Sequence, residues 1–297
     1  MVDPLAYPFP SANATSTSNT TVSGVTYVVA NDDGPLLLHA SAATAFISLQ
    51  LAAMLVFAAY SVVRNYSANK AAVKLLHRAS HITLGISGFW YIVYYLGEAI
   101  CKFSYPTSPQ PNDIRHYAAI ADACNMVYNI ASCTLIYACF VMISQEARLN
   151  LFLRDPPGLL WKRRSMTSGV ATLFLLGSLP FFISLGGSLT HTGHTHTLQT
   201  AATYTFMISV AFRIIVQAWL LYLAWSARLM GVTIPRQWPF YIAPLLFASS
   251  VITAVFAGIL VQNTIAQETA TRYELAWHIT QGVAEFISFY LALKLCE

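Results

Sequence analysis

Charged side chains are scarce in this chain. Asp, Glu, Lys and Arg make up 9% of its 297 residues, whereas hydrophobic residues make up 56%. A soluble domain carries roughly 25% charged residues, because it needs a polar surface. The net charge is only +4, and the basic residues form no patch of the kind that binds nucleic acid. The scarcity of charge excludes an ordinary soluble fold and favours a membrane protein.

Metal-binding and redox motifs are also missing from the sequence. The five cysteines occur without CxxC spacing, so we predict neither a zinc site nor a redox pair. No DDxxD sequence is present that could hold magnesium and a diphosphate group. His77 and His81 are spaced at i and i+4, but no third ligand lies near them in sequence. We therefore predict no metal ion and no cofactor.

The chain does have seven long apolar segments, and each is long enough for a transmembrane helix, which needs about 20 mostly apolar residues. They lie at 37–63, 81–101, 117–144, 167–189, 203–227, 239–262 and 274–295. The residues before them, 1–35, are rich in Ser, Thr and Asn. We therefore predict an all-α polytopic membrane protein, with a polar tail at 1–35 and a bundle of seven transmembrane helices in residues 36–297.

Lysine and arginine are concentrated in alternate connections between these segments, which predicts the orientation because basic loops stay in the cytosol. The connections after the first, third and fifth segments hold Arg64, Lys70, Lys74, Arg78, Arg148, Arg154, Lys162, Arg163, Arg164, Arg228 and Arg236. The tail carries glycosylation sequons at Asn13 and Asn19. We predict a lumenal or extracellular N-terminus and a cytosolic C-terminus, in the endoplasmic reticulum membrane, or in the plasma membrane if the chain is a receptor.

Polar side chains recur at helical spacing inside four of the segments. In the last segment, His278, Gln281 and Glu285 are at i, i+3 and i+7, and Ser288 follows three residues later, so all four share one face. The second, third and fifth segments carry similar stripes, formed by Tyr91, Tyr94 and Glu98, by Asp122, Asn125 and Asn129, and by Arg213 and Gln217. Buried ionisable groups are costly in a membrane, so we expect these stripes to line one polar cavity that opens towards the lumen.

The carboxyl groups are the candidate catalytic residues. An apolar cavity favours the protonated form of a carboxyl group, so Glu285 could act as a general acid, with Glu98 or Asp122 as the second carboxylate. The alternative is a structural network, and for Arg213 we favour a direct ion pair with Asp122 or Glu285. The aromatic residues Trp90, Tyr91, Tyr94 and Tyr95 either form an interfacial belt or line the substrate pocket.

Three classes of function are compatible with this pattern. The first is a membrane-bound enzyme for a lipophilic small molecule. The second is a heptahelical receptor or sensor, although neither a D/E-R-Y-like triplet nor an N-P-x-x-Y sequence is present. The third is a small-molecule or proton-coupled transporter, although no inverted repeat is visible. The partners that we predict are the small molecule and membrane lipid, with no nucleic acid and no protein partner.

The sequence WHITQGVAEFISFYLAL, residues 277–293, resembles the last helix of the fungal integral-membrane terpene cyclases of meroterpenoid and indole-diterpene pathways. The resemblance implies seven helices, short loops and one acidic residue in each of helices 2 and 7, and Glu285 matches the second of these. In the family, an acidic residue directly follows a tryptophan in helix 2. Here Trp90 is followed by Tyr91, and the nearest acid is Glu98. The resemblance implies an acid-initiated cyclisation of an isoprenoid-bearing substrate, by epoxide opening or olefin protonation.

Overall fold

Helices make up nearly all of the chain that this structure, a computed structural model, describes. Six long helices follow one another in sequence, and Ala53, Leu55 and Val56 are also helical. The described residues are 20–22, 25–27, 53, 55–56, 74–104, 111–150, 159–189, 195–229, 238–261 and 267–295. The six helices are α1 (Lys74–Ser104), α2 (Pro111–Asn150), α3 (Leu159–Leu189), α4 (Thr195–Leu229), α5 (Trp238–Val261) and α6 (Gln267–Leu295).

These helices correspond to the second to seventh predicted segments. Five of them extend several residues beyond the predicted bounds, whereas α5 is displaced by one residue at each end. The helix α2, for example, begins at Pro111 and ends at Asn150, whereas its apolar segment covers 117–144. Apolar sequence marks only the part of a helix that suits hydrocarbon, while backbone hydrogen bonding continues beyond it. Proline is also well suited to the first turn of a helix, which explains the early start of α2.

Four of the described helices are long and apolar enough to cross a membrane, which indicates a membrane protein. The apolar spans are Asp122–Ser144, Arg164–Gly186, Ala201–Ser226 and Tyr241–Ile259. The described apolar stretch of α1 is shorter, Ile82–Gly97. Apart from the three helical residues at 53, 55 and 56, the first predicted segment, 37–63, lies outside the described residues.

The helix α2 lies at the centre of the bundle. It contacts each of the other five described helices, while most of the remaining contacts join helices that are neighbours in sequence. Of the apolar span of α2, 61% is buried inside the bundle, whereas only 33% to 39% of the spans of α3, α4 and α5 is buried. Side chains on α2 are therefore positioned to touch several helices at once.

Small residues bring α1 close to its neighbours. The hydroxyl group of Ser87 donates a hydrogen bond to the carbonyl oxygen of Ala131 on α2, at 2.9 Å. One residue later, a Cβ atom on Gly88 would lie 2.8 Å from the ring of Phe289 on α6, which is closer than packed carbon atoms approach. This close packing holds α1 against both α2 and α6, the two helices that carry the candidate site.

A short antiparallel hairpin lies in the predicted polar tail. Its strands are β1 (Thr20–Val22) and β2 (Val25–Tyr27), with Thr20 opposite Tyr27 and Val22 opposite Val25. The strands consist of β-branched residues and one tyrosine, which favour extended backbone. The strand β1 contacts α2.

Candidate active site

Glu285 lies in α6 and is almost completely buried, with 4% of its surface exposed. Its Oε1 atom accepts two hydrogen bonds. One comes from the hydroxyl group of Tyr128 on α2, and the other comes from Nε2 of Gln281, four residues earlier on α6, at 3.1 Å. The carboxyl group is therefore held both by a neighbouring helix and by its own helix.

The helix α6 turns a polar face towards the interior of the bundle. Gln281, Glu285 and Ser288 are buried, whereas Ile287 is exposed. The spacing of the three polar residues puts them on one side of a helix, and an outward apolar side suits lipid. Three members of the predicted stripe thus face inwards. The side chain of His278, the fourth, lies outside the described residues.

Tyrosines from α1 pack around Tyr128 and form an aromatic wall beside Glu285. The ring of Tyr91 meets the ring of Tyr128 edge to face, at 6.1 Å between centroids, and the ring of Tyr94 lies 5.0 Å from it. Tyr91, Tyr94 and Tyr95 are all buried. These three tyrosines therefore line the interior and do not form an interfacial belt, whereas Trp90 is only half-buried and packs at the edge of the core.

Arg213 on α4 does not form the direct ion pair that the sequence favoured. Among the described residues, its hydrogen bond runs from Nη2 to Oδ1 of Asn129, at 3.2 Å, and it pairs with neither Asp122 nor Glu285. Its guanidinium carbon lies 5.6 Å from the centre of the Tyr128 ring. An amide oxygen and an aromatic face can both stabilise a cation. Arg213 is still near enough to Glu285 for electrostatic attraction.

The predicted polar stripe of the third segment faces α3 more than it faces Glu285. Nδ2 of Asn129 donates to Oγ of Ser178 at 3.3 Å, and the hydroxyl group of Ser184 donates to Oδ2 of Asp122 at 2.8 Å. The two partners are seven residues apart on α2 and six apart on α3, as expected for adjacent antiparallel helices. Asn125, the third member, is half-buried. Asn129 thus joins α3 to Arg213, while Asp122 belongs to a separate contact.

The other predicted site residues are described only in part. Glu98 belongs to α1, but its side chain lies outside the described residues. Gln217 is buried, with 3% of its surface exposed, and its Oε1 accepts no hydrogen bond from the part of the chain that is described. The predicted glycosylation sites Asn13 and Asn19 lie outside the described residues.

Tyr128 is the central residue that sequence reasoning missed. It lies next to the expected stripe on α2, and a tyrosine in an apolar segment gives no charge signal. A second polar stripe could have revealed it, because Asn125, Tyr128 and Ser132 are at i, i+3 and i+7 and therefore share a face. This face carries no ionisable residue other than the tyrosine itself, so charge does not mark it.

The arrangement has three chemical properties. A carboxyl group is shielded from water, its partners at Oε1 are neutral donors, and the faces and edges of several tyrosines surround it. Such a group can exchange a proton with a bound molecule, and aromatic faces can stabilise a positive charge that develops nearby. Arg213, whose guanidinium carbon lies 5.6 Å from the centre of the Tyr128 ring, supplies a fixed positive charge.

The comparisons with known proteins add no assignment. No protein-family model, no curated protein and no solved structure matches this chain.

Proposed function

We propose that this chain is an integral membrane enzyme that cyclises a lipophilic, isoprenoid-bearing substrate by acid-initiated epoxide opening or olefin protonation. In this proposal the segment 37–63 completes a bundle of seven transmembrane helices. The N-terminus, with the sequons at Asn13 and Asn19, lies in the lumen of the endoplasmic reticulum, and the C-terminus lies in the cytosol. The reaction belongs to secondary metabolism, as the resemblance of the last segment implies.

The observation that carries the proposal is the environment of Glu285. A buried carboxylate with a purely structural role is usually paired directly with a cation, because an unpaired charge is costly. Here the available cation, Arg213, is hydrogen-bonded to Asn129, and the partners of Glu285 are a phenol and an amide. Neutral partners suit a carboxyl group that holds a proton and releases it during a reaction.

The mechanism begins with proton transfer from Glu285. The O–H bond of the acid breaks, and the proton bonds to an epoxide oxygen or to an alkene carbon of the substrate. The positive charge that remains on the substrate is stabilised by the aromatic wall, which includes Tyr91, Tyr94 and Tyr128. Exclusion of water protects that cation from capture. The negative charge left on Glu285 is offset by Arg213 and by the two hydrogen-bond donors at Oε1.

A second carboxylate takes the final proton, so that one proton enters the substrate and one leaves it. Asp122 and Glu98 are the candidates. Asp122 lies six residues before Tyr128 on α2, or about 9 Å along the helix axis, and it is buried with 2% of its surface exposed. A cyclised product that has moved along the aromatic wall could reach a base at that distance.

The test is turnover of candidate prenylated epoxides and prenylated alkenes by microsomes that contain the full chain. Glu285→Gln keeps the size of the side chain and an acceptor oxygen, but it removes the transferable proton. We expect its turnover to fall by at least about 100-fold, the usual size of general acid catalysis. The protein levels of the variant and the wild type are matched by immunoblotting.

Thr253→Val is the matched control. Thr253 is a buried polar residue of α5, and among the described residues its hydroxyl group bonds to its own helix, at the carbonyl oxygen of Ser249. We expect normal turnover from this variant. Normal turnover by Glu285→Gln would show that the carboxyl group is structural, and the proposed mechanism would then be wrong. A wild-type protein that converts no member of the substrate series would favour a receptor or transporter instead.

A further inference from the structure

A groove opens on the outer surface of the bundle between α3 and α4. Its volume is about 570 Å³, which is within the range of small-molecule sites, about 300–1,000 Å³. Small residues, Ser165 and Gly169 on α3 and Ala218 on α4, leave this space where larger side chains would fill it. The side chains of Phe212 and Trp219 form part of the wall, so the surface inside the groove is almost entirely apolar.

The groove faces outwards and lies towards one end of the membrane span. Ile215, which lines it, is exposed, and so are Tyr222 and Trp225 on the same side of α4. Exposed tyrosine and tryptophan suit the level of the lipid headgroups. From Phe212 to Trp219 the groove follows α4 for about 10 Å, which is most of the depth of hydrocarbon in one leaflet, about 15 Å. The groove therefore has the length and the position to hold a lipid acyl chain.

Positive charge is concentrated in sequence next to the groove. Lys162, Arg163 and Arg164 directly precede Ser165 on α3, and Arg164 is exposed. Neither α3 nor α4 contains an aspartate or a glutamate, so the two helices that form the groove provide no acidic partner for these cations. Clusters of basic residues beside a membrane attract anionic lipid headgroups. An anionic headgroup is therefore complementary to this end of α3.

We propose that the groove between α3 and α4 binds one anionic phospholipid of the surrounding membrane, whose acyl chain lies against Ala218 and Trp219 and whose phosphate lies beside Arg164. A neutral lipid would fill the apolar space but leave the cations unmatched, and a soluble anion would match the charge but leave the groove empty. In the proposed orientation this end of α3 is cytosolic, the side on which anionic lipids are concentrated. The inference does not depend on the proposed cyclase activity.

Native mass spectrometry of the full chain tests the proposal, because it counts the lipid molecules that stay bound. The protein is purified in a non-ionic detergent and titrated separately with phosphatidylserine and with phosphatidylcholine that carries the same acyl chains. We expect the wild-type protein to retain one molecule of phosphatidylserine, and to bind it at least about 10-fold more tightly than phosphatidylcholine, because several basic residues lie near one headgroup.

A matched pair of variants on α4 tests the site of the acyl chain. Ala218→Phe places a ring in the groove, whereas Ala211→Phe adds the same ring seven residues earlier, at another exposed position on the same side of the helix. We expect Ala218→Phe to weaken the binding of both lipids by at least about 10-fold, because the ring takes the space of two or more methylene groups. Ala211→Phe should bind both lipids normally.

A second pair tests the headgroup. Arg164→Gln should lower the preference for phosphatidylserine over phosphatidylcholine by about 5-fold, the effect of one basic residue near the membrane surface. Lys294→Gln removes one positive charge near the end of α6, so it changes the net charge of the chain equally. We expect it to leave the preference unchanged.

Photolabelling locates the lipid on the wild-type protein, so the test does not depend on the folding of a variant. Phosphatidylserine with a diazirine in one acyl chain should label the peptide that contains residues 215–219. Absence of that label would overturn the proposal, and a dimeric mass in the same sample would assign the groove to a second copy of the chain. Equal binding of the two lipids by the wild-type protein, or equal losses in Ala218→Phe and Ala211→Phe, would overturn it as well.

Discussion

Tyr128 on α2 and Glu285 on α6 are joined side chain to side chain, through the phenol hydroxyl group and the carboxyl oxygen Oε1. They are 157 residues apart in sequence, and α2 can reach α6 because it is the central helix of the bundle. The same tyrosine ring presents a face to Arg213. One neutral aromatic side chain thus contacts both a buried acid and a half-buried cation.

Tyr91 gives the first prediction. Its hydroxyl group is fully buried, lies close to Glu285 and makes no hydrogen bond to the described residues. When a proton leaves Glu285, this hydroxyl group can donate to the new carboxylate. An interaction that forms only as charge develops affects kcat and not KM. We therefore expect Tyr91→Phe to lower kcat by at least about 10-fold, with an unchanged KM in the microsomal assay.

The same substitution should not weaken the fold, because a buried hydroxyl group without a partner contributes no stability. The midpoint of thermal unfolding in detergent should stay the same or rise slightly, and Tyr137→Phe provides the reference for loss of a tyrosine hydroxyl group. An unchanged kcat in Tyr91→Phe would contradict this role for the hydroxyl group.

Arg213 should not tolerate replacement by lysine. The guanidinium group reaches Oδ1 of Asn129 while it remains beside the face of the Tyr128 ring, and a flexible ammonium group cannot reproduce a planar contact of this kind. We expect Arg213→Lys to destabilise the protein by about 1.5–3 kcal/mol, the range for a hydrogen bond to a charged group. Thermal unfolding is the measurement. Arg164→Lys, at an exposed position on α3, is the control and should be neutral.

The addition of a single methyl group at Gly177 should destabilise the protein. A Cβ atom at this position would lie 2.7 Å from Cγ of Asn129, whose amide group also bonds to Ser178 and Arg213. Gly177→Ala must therefore displace the amide, and we expect a loss of stability of about 1–3 kcal/mol. At Gly186, on the same helix, no atom lies within 4 Å of the added carbon. Gly186→Ala should be neutral or stabilising by up to about 1 kcal/mol, and equal losses in both variants would contradict the packing argument.

Sequence patterns predicted the helices and the inward face of α6 because both follow from local periodicity. Apolar length identifies a membrane helix, and the spacing of Gln281, Glu285 and Ser288 allows only one common face. The burial of all three side chains confirms that face. The ends of the helices were predicted less well, because polar residues at a membrane surface can continue a helix as readily as they can end it.

The pairing of side chains between helices could not be predicted, because it depends on rotation and register. Asp122 and Asn129 share a face, as expected, but that face contacts Ser184 and Ser178 on α3. A rotation of α2 by about 100°, the angle between successive residues of a helix with 3.6 residues per turn, separates the Asn129 side from the Tyr128 side. Charge alone also suggested an ion pair for Arg213, whereas packing placed its guanidinium group beside the neutral ring of Tyr128.

Two substitutions at Asp122 distinguish a structural role from a role as the final base. Asp122→Asn keeps an acceptor oxygen for the hydroxyl group of Ser184, whereas Asp122→Ala leaves that contact unfilled. If Asp122 is the base, Asn should abolish turnover and preserve the midpoint of unfolding, because it cannot accept a proton. If Asp122 is structural, Asn should keep turnover near normal, and Ala alone should destabilise, by about 1–3 kcal/mol. Substrate analysis by mass spectrometry and thermal unfolding together distinguish the two outcomes.

Glycosylation provides a test of the proposed orientation that does not depend on activity. Sequons are modified only on the lumenal side of the membrane, and the chain has them at Asn13 and Asn19 in the tail and at Asn65 after the first predicted segment. With seven helices and a lumenal N-terminus, the full chain expressed in microsomes should lose apparent mass on treatment with an endoglycosidase. The double variant Asn13→Gln, Asn19→Gln should show no such loss, while Asn65→Gln should behave as the wild type. Glycosylation at Asn65 would instead show that the first connection lies in the lumen. The orientation would then be the reverse of the one proposed, with the connection between α1 and α2 on the cytosolic side.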